Sequence, residues 1–476
     1  MSTHVAVVGA YGSAGGAVAK QLAGADDVEL TLIDDGDPGG GLCIQAGCMP
    51  SKELLSAAEH RFAAQADDRL DGPLPEVDLE AVVAQKDDHT GNWAARRRNG
   101  IEGLAEHDGV EFIHETARFV DDRVIEVGDR TIEPDYVVIA TGSTLDVPPI
   151  PGIEDVTVRT SADVFDATEF GDSAVVLGLG YVGLELAPYL SEAGDMDVTA
   201  LEVLPELLGE ADPGFGADLA EYYRDAFDMD VRTNAEARRI EPTDDGVRVT
   251  VEQGGEAETI EAEELYAFTG RKPALDGLGL ENTAIEPDDE WVAETMQARN
   301  DDRVFVVGDA NGREPILHVS KHQAATAAEN VLAHRDGDAL ETYQPVHHHV
   351  MFSGLGRLPF VRVGHSAESA EAADLAYVAV DAEAAGDGVF KAKDAPEGWA
   401  RLVVGTDGTV LGYQGLHYHA DVMAKTMQLA VEMELDVREI PDRAYHPTTP
   451  EILDSLLGNA RAELDTRHEQ AMSAPR

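Results

Sequence analysis

Val5-Ala6-Val7-Val8-Gly9-Ala10-Tyr11-Gly12-Ser13-Ala14-Gly15 lies near the start of the chain, and Ala174-Val175-Val176-Leu177-Gly178-Leu179-Gly180-Tyr181-Val182-Gly183 repeats its grammar further on. Each stretch is an apolar run of strand type, a glycine turn, and a helical pattern that continues to Leu22 or Leu190. Each helix leads to a second apolar run that ends on an acid: Leu30 to Ile33 and then Asp34, Val198 to Leu201 and then Glu202. Strand, glycine turn, helix, strand and an acid about 20 residues beyond the turn is the pattern of a dinucleotide-binding unit. Gly9, Gly12 and Gly15, like Gly178, Gly180 and Gly183, let backbone N–H groups approach a pyrophosphate at a helix N-terminus. Two copies predict two such sites in one polypeptide. The second copy has the G-x-G-x-x-G spacing. The first carries one extra residue, the Tyr11 insertion, expected to reshape the turn without removing its N–H donors.

Working outward, Tyr136 to Ala140 reads as a buried strand followed by Thr141-Gly142-Ser143, and Pro148-Pro149-Ile150-Pro151-Gly152 marks a domain crossing. After the second unit come Thr269-Gly270-Arg271-Lys272-Pro273 and the run Val304 to Gly308 with Asp309. From about Tyr343 the texture turns to alternating short strands and a helix from Ala420 to Met433, which is α+β. The expected fold is therefore α/β, with two Rossmann-like dinucleotide-binding domains and a C-terminal α+β domain. The expected boundaries are residues 1–150, completed by 272–343, then 151–271, then 344–476.

The charge balance narrows the partners. Lys and Arg number 35 against 92 Asp and Glu, a formal net charge of −57. Such a surface repels nucleic-acid phosphates and anionic lipid heads, so neither is expected as a partner. The acid is spread along the chain and lysine is scarce, the composition of a protein adapted to molar salt, where repulsion is screened within a few ångströms. No run reaches the roughly 18 apolar residues of a membrane span, and the apolar N-terminal stretch lacks a basic leader. A soluble, cytoplasmic protein is expected.

Cys43 and Cys48 are the only cysteines, too few for a disulfide framework and unable to close a zinc site at the usual spacing. They flank Ile44-Gln45-Ala46-Gly47, just past the first acid and leading into a helix. That spacing allows one helical turn to bring the sulfurs together, with a helix dipole able to lower a thiol pKa. The run His347-His348-His349 is read as a strand opening the third domain rather than as a metal site, and no metal is expected.

With these residues in view, the sequence resembles the flavin-dependent pyridine nucleotide–disulfide oxidoreductases, the family of dihydrolipoyl dehydrogenase, glutathione reductase and mercuric reductase. The resemblance runs essentially end to end. It is carried by Cys43 to Lys52, Thr141-Gly142-Ser143, Gly178 to Glu185, Val307-Gly308-Asp309 and Tyr445-His446-Pro447-Thr448-Thr449-Pro450-Glu451. The departures are Tyr11, the glycines Gly39 to Gly41 with Leu42, and a longer segment around His347 to His349.

The resemblance implies FAD on Gly9, Gly12, Ser13, Gly15, Lys52, Thr141 and Gly142, with Asp34 at its adenosine ribose and Asp309 at its ribityl chain. It implies NADH or NADPH on Gly178, Gly180, Gly183, Glu202 and Gly270. Glu202 favours NADH, because a carboxylate repels a 2′-phosphate, whereas a thiol-reductase reading favours NADPH. Cys48 would take electrons from the flavin and Cys43 would attack the substrate disulfide. His446 would protonate the leaving thiolate, oriented by Glu451. Lys52 and Glu185 are expected to form a buried ion pair, and Lys20, with Ser13, is a weaker candidate for a substrate carboxylate. The implied activity is reduction of a low-molecular-weight disulfide such as bis-γ-glutamylcystine in a salt-adapted archaeon. Dihydrolipoyl dehydrogenation is the nearest alternative. Mercuric reduction, whose C-terminal cysteine pair is missing, and a flavin redox sensor without turnover follow. The third domain would pair two chains into a homodimer with a shared active site.

Overall fold

The computed structural model describes residues 2–343, 346–351, 355–443 and 445–473. They fall into two compact units: Met1–Ser51, Ala84–Val147 and Gly270–Pro345 in the first, Lys52–Val83, Pro148–Thr269 and Val346–Arg476 in the second.

The first unit is built on a sheet whose spatial order is Gln297–Ala298, Asp301–Val306, Tyr136–Ile139, Thr3–Val8, Val28–Ile33 and Val110–Ile113. All neighbours run parallel except the two-residue edge strand. Both faces are covered, which explains why these strands read as unbroken apolar runs rather than alternating ones. Val5, Val7 and Leu32 pack with the helices Ser13–Leu22 and Leu317–Asp336 on one face, while Ala6, Val8 and Ile33 pack with the small sheet of Ala117–Asp121, Val124–Val127 and Arg130–Ile132 on the other.

The second unit repeats the plan. Its parallel sheet runs Asp230–Arg232, Asp197–Leu201, Ser173–Leu177, Glu264–Ala267 and Val158–Arg159. In both units the glycine loop follows the central strand, so the repeat seen in the residues is also a repeat of topology. The same unit contains an antiparallel sheet of His348–Met351, Phe360–Gly364, Val410–His417, Gly398–Gly405 and Tyr377–Glu383. The helices Ala420–Glu432 and Glu451–Ser473 supply its apolar cover through Met423, Met427, Ile452 and Leu456. This C-terminal sheet shares a core with the second nucleotide fold: Phe215 stacks on Trp399 at 3.7 Å and meets Phe360 at 5.6 Å. The histidine run does enter a strand, at His348–Met351. Among the described residues, no helix is long and apolar enough to cross a membrane.

Candidate active site

The two glycine loops are built alike at their three glycines. Gly9 and Gly178 have φ of +92° and +88°, and a Cβ at either would strike a backbone carbonyl, of Ala140 or Phe268. Gly12 and Gly180 cap the helices Ser13–Leu22 and Tyr181–Glu192 without a side-chain bond and with no acid in either first turn. The N-terminal N–H groups and the positive end of each dipole thus face outward. Gly15 and Gly183 let helix and loop touch; a Cβ there would lie 2.1 and 2.2 Å from the carbonyl oxygens of Gly9 and Gly178.

The acids are latches as well as walls. Asp34 accepts from Tyr11 N at 2.8 Å and Gly36 N at 2.9 Å, and Glu202 accepts from Leu179 N at 2.8 Å and Leu204 N at 2.9 Å. Each carboxylate ties its own glycine loop to the backbone two residues beyond itself. Burial raises the Asp34 pKa against these two N–H bonds. The extra residue of the first loop is taken up by Ala10, whose N–H shares the Ile33 carbonyl with that of Gly9. Tyr11 turns inward, donates to Glu102 at 2.6 Å and packs on Phe112.

Cys43 lies in the four-residue helix Leu42–Gln45, and Cys48 is the first residue of the helix Cys48–Gln65. The chain breaks at Ala46-Gly47 rather than running as one continuous turn, because Gly47 packs its Cα against the Leu42 carbonyl, where a Cβ would stand at 3.0 Å. Both cysteines are free thiols. A hydrogen bond to Cys48 and then burial hold the Cys43 thiol well above the usual thiol range, with the Arg97 guanidinium pulling it down. The proton of the pair is therefore held on Cys43, while Cys48 opens a helix, an end that favours negative charge. Arg97 was not singled out from the sequence: it lies on the long helix Leu79–Glu102 and no local motif marks it. It donates to Ser13 Oγ at 2.9 Å and the Gly40 carbonyl at 3.2 Å. Lys20 is exposed in the last turn of its helix, about 10 Å along the axis from Ser13. Arg97, not Lys20, is the cation against Ser13 and Cys43.

In the second unit Lys52 Nζ lies 2.6 Å from both carboxylate oxygens of Glu185. The pair is half-buried rather than buried, its side chains 31% and 13% exposed. His446 Nδ1 lies 3.0 and 3.1 Å from the Glu451 oxygens, and Thr448 N donates to the same carboxylate at 2.9 Å. The Thr448 N–H first, then His446, hold the Glu451 carboxyl below the usual carboxylate range. The imidazole is 79% exposed, leaving its other nitrogen toward solvent.

The first unit fits a flavin dinucleotide. Thr141 Oγ1 is a buried hydroxyl oxygen without a partner, beside Gly142 at φ +75°. Ser143 Oγ donates to Asp309 at 2.7 Å, and Arg271 donates to Ser143 from the paired strand. Next to the Asp34 latch a cavity of about 620 Å³, lined by Tyr11, Gly36, Arg98, Glu102, Phe112 and His114, has the size and mixed polarity that suit a purine. Gly270, expected at the nicotinamide, belongs to the first unit, where its carbonyl accepts from Asp146 N.

Two dinucleotide folds with a close thiol pair at the first define a nucleotide-dependent dithiol–disulfide oxidoreductase. The pattern of the pyridine nucleotide-disulphide oxidoreductases matches residues 3–329 and that family's dimerisation domain matches residues 354–456. The chain belongs to this family of FAD-dependent enzymes that use NAD(P)H. It is 30% identical to a dihydrolipoyl dehydrogenase of Haloferax volcanii over 96% of each chain. It is 29% identical to a mercuric reductase of Streptomyces lividans over 67% of this chain and 69% of that one. The fold is that of the HOCl-induced flavoprotein disulfide reductase RclA from Escherichia coli, with a TM-score of 0.79 at 22% identity, covering 96% of this chain and 99% of the other.

Proposed function

We propose that this protein reduces a small anionic disulfide through Cys43 and Cys48, bis-γ-glutamylcystine being the substrate that fits a salt-adapted chain. Gly9, Gly12, Ser13, Gly15, Asp34, Thr141, Gly142, Asp309 and Lys52 would hold FAD, and Gly178, Gly180, Gly183 and Glu202 the pyridine nucleotide. FAD, when bound, relays two electrons from the nicotinamide to the cysteine pair. The remaining work falls to side chains. His446 takes the Cys43 proton as Cys43 attacks one substrate sulfur, forming a mixed disulfide, and the resulting imidazolium returns that proton to the leaving thiolate. The Cys48 thiolate then attacks the Cys43 sulfur, closing the Cys43–Cys48 disulfide and releasing the second substrate half as a thiolate, which takes a proton from water. Glu451 holds the imidazole in orientation. In this reading His446 comes from a second copy of the chain.

The observation that carries an anionic substrate is Arg97, a guanidinium against both Cys43 and Ser13. A second reading, dihydrolipoyl dehydrogenase, is favoured by relatives of that name aligned over nearly their whole length. A panel of bis-γ-glutamylcystine, glutathione disulfide and lipoamide, assayed in molar KCl, separates the two. Preference for the first by at least tenfold in kcat/KM is expected, and Arg97→Ala should raise KM for the acidic disulfides alone. Preference for lipoamide with no effect of Arg97→Ala would overturn the first reading in favour of the second. Glu202 leads us to propose NADH as the donor, and a tenfold NADPH preference would contradict that.

A further inference from the structure

The run His347-His348-His349 is not used by any step above. Strand alternation sends its members to opposite faces. His348 turns toward the helix Ala420–Glu432, its Nε2 3.4 Å from a Glu432 oxygen. His347 and His349 turn the other way, to Glu210, which comes from the loop after the second strand of the nucleotide fold. His347 Nε2 stands 3.4 Å from Glu210 Oε2. Two ligands about 2.1 Å from one tetrahedral ion are separated by roughly that distance. Ligand atoms of all three residues lie within 4.8 Å of one another, so closing the remaining contacts needs a movement of at most about 1.4 Å.

We propose that Glu210, His347 and His349 form a site for a divalent cation of borderline softness, of the zinc class. Two imidazoles and one carboxylate, with no thiolate, select such ions over calcium or copper(I), and water would complete the coordination. The Arg362 guanidinium, 4.0 Å from the Glu210 carboxylate, is the nearest opposing charge; it is anchored instead on the Glu210 backbone carbonyl and directed to Ser369 Oγ. The site has a link to the nucleotide loop. The His349 ring stacks on Tyr181 at 3.3 Å and 17°, and Tyr181 is the first residue after Gly180. A bound ion would fix that stack and with it the mouth of the second glycine loop.

The test is a titration of the oxidised holoenzyme with ZnCl₂ against a chromophoric chelator, the Cys43–Cys48 disulfide keeping sulfur out of the competition. One zinc per chain is expected. Loss of an outer-sphere partner typically weakens metal sites 10–100-fold, so Glu210→Gln, at an exposed position, should weaken binding at least about tenfold. The double variant His347→Ala/His349→Ala should abolish it and His348→Ala should leave it intact. Circular dichroism checks the fold of each variant. Unchanged zinc affinity in a folded Glu210→Gln or double variant overturns the proposal, as does binding that disappears in Cys43→Ser/Cys48→Ser.

Discussion

Arg97 shows how much one side chain decides at this site. Its charge, with the Cys48 backbone N–H, draws the Cys43 proton off against the side-chain hydrogen bond to Cys48 and burial. Arg97→Ala should therefore raise the pH at which Cys43 of the reduced enzyme is alkylated, by roughly one unit for a cation at this range; iodoacetamide labelling followed by mass spectrometry reads it directly, and an unmoved midpoint would remove Arg97 from the site. His446 and Glu451 make a second case. The Glu451 pKa is depressed, so its ionised, histidine-orienting form is fully present above the ordinary carboxylate pKa of about 4.3 and is lost only as pH falls through the lower folded value. Glu451 should then contribute nothing to the acid limb of turnover above about pH 5. General acid catalysis is typically worth about 10²–10⁴-fold. His446→Gln should cost that much in kcat, with Glu451→Gln costing less and neither shifting the flavin spectrum.

At the level of elements, the two glycine loops invite a reciprocal experiment. Gly15→Ala and Gly183→Ala each push a methyl group into a backbone carbonyl, a contact that cannot be relieved by a rotamer change; overpacking of this kind costs roughly 1–3 kcal/mol. Gly15→Ala should lower the flavin bound per chain, and Gly183→Ala should weaken NADH binding while flavin content holds. Absorbance at the flavin maximum and fluorescence titration with NADH give the two readouts. These loops were legible from residues alone because a glycine forced by a carbonyl leaves an unmistakable spacing. The Cys43–Cys48 proximity was legible too, although the helix break at Gly47 was not, since a four-residue interval is also one helical turn. Arg97 and the Asp34 and Glu202 latches were not legible. Their partners are distant in the chain or are backbone N–H groups, which carry no sequence signature.

For the molecule as a whole, the exposed face of the helix Ala420–Glu432 matters most. Val422, Leu429 and the adjoining Met433 are 66%, 46% and 65% exposed along one side of it, while Met423, Met427 and Ala430 on the other side enter the core. Tyr445, beside His446, is 90% exposed. These residues fall within the matched dimerisation domain. Val422→Asp with Leu429→Asp should yield a monomer, and, if the site is shared, an inactive one. The charge of −57 per chain adds a salt term. The screening length shrinks from about 10 Å at 0.1 M salt to about 3 Å at 1 M, so sedimentation should show dimers at 2 M KCl that dissociate at 0.1 M. Mixing a Cys43→Ser chain with a His446→Gln chain tests the shared site: recovered activity after subunit exchange supports it, and none after verified exchange rules it out.

The latch geometry also bears on how such an enzyme changes its electron donor over evolutionary time. A carboxylate that merely faced a ribose could be exchanged for arginine in one mutation, converting an NADH user to an NADPH user. Glu202 is not free to follow that route, because it is also the acceptor for the N–H groups of Leu179 and Leu204. Replacing it strands two donors at once, one of them in the loop that would cradle the pyrophosphate. On the proposed reading that Glu202 sets the donor, donor preference and loop integrity are bound into a single codon, and altering the first requires rebuilding the second. Directed evolution starting from a library at position 202 alone should return dead or unchanged enzymes, and successful converts should carry compensating changes in the 203–206 turn.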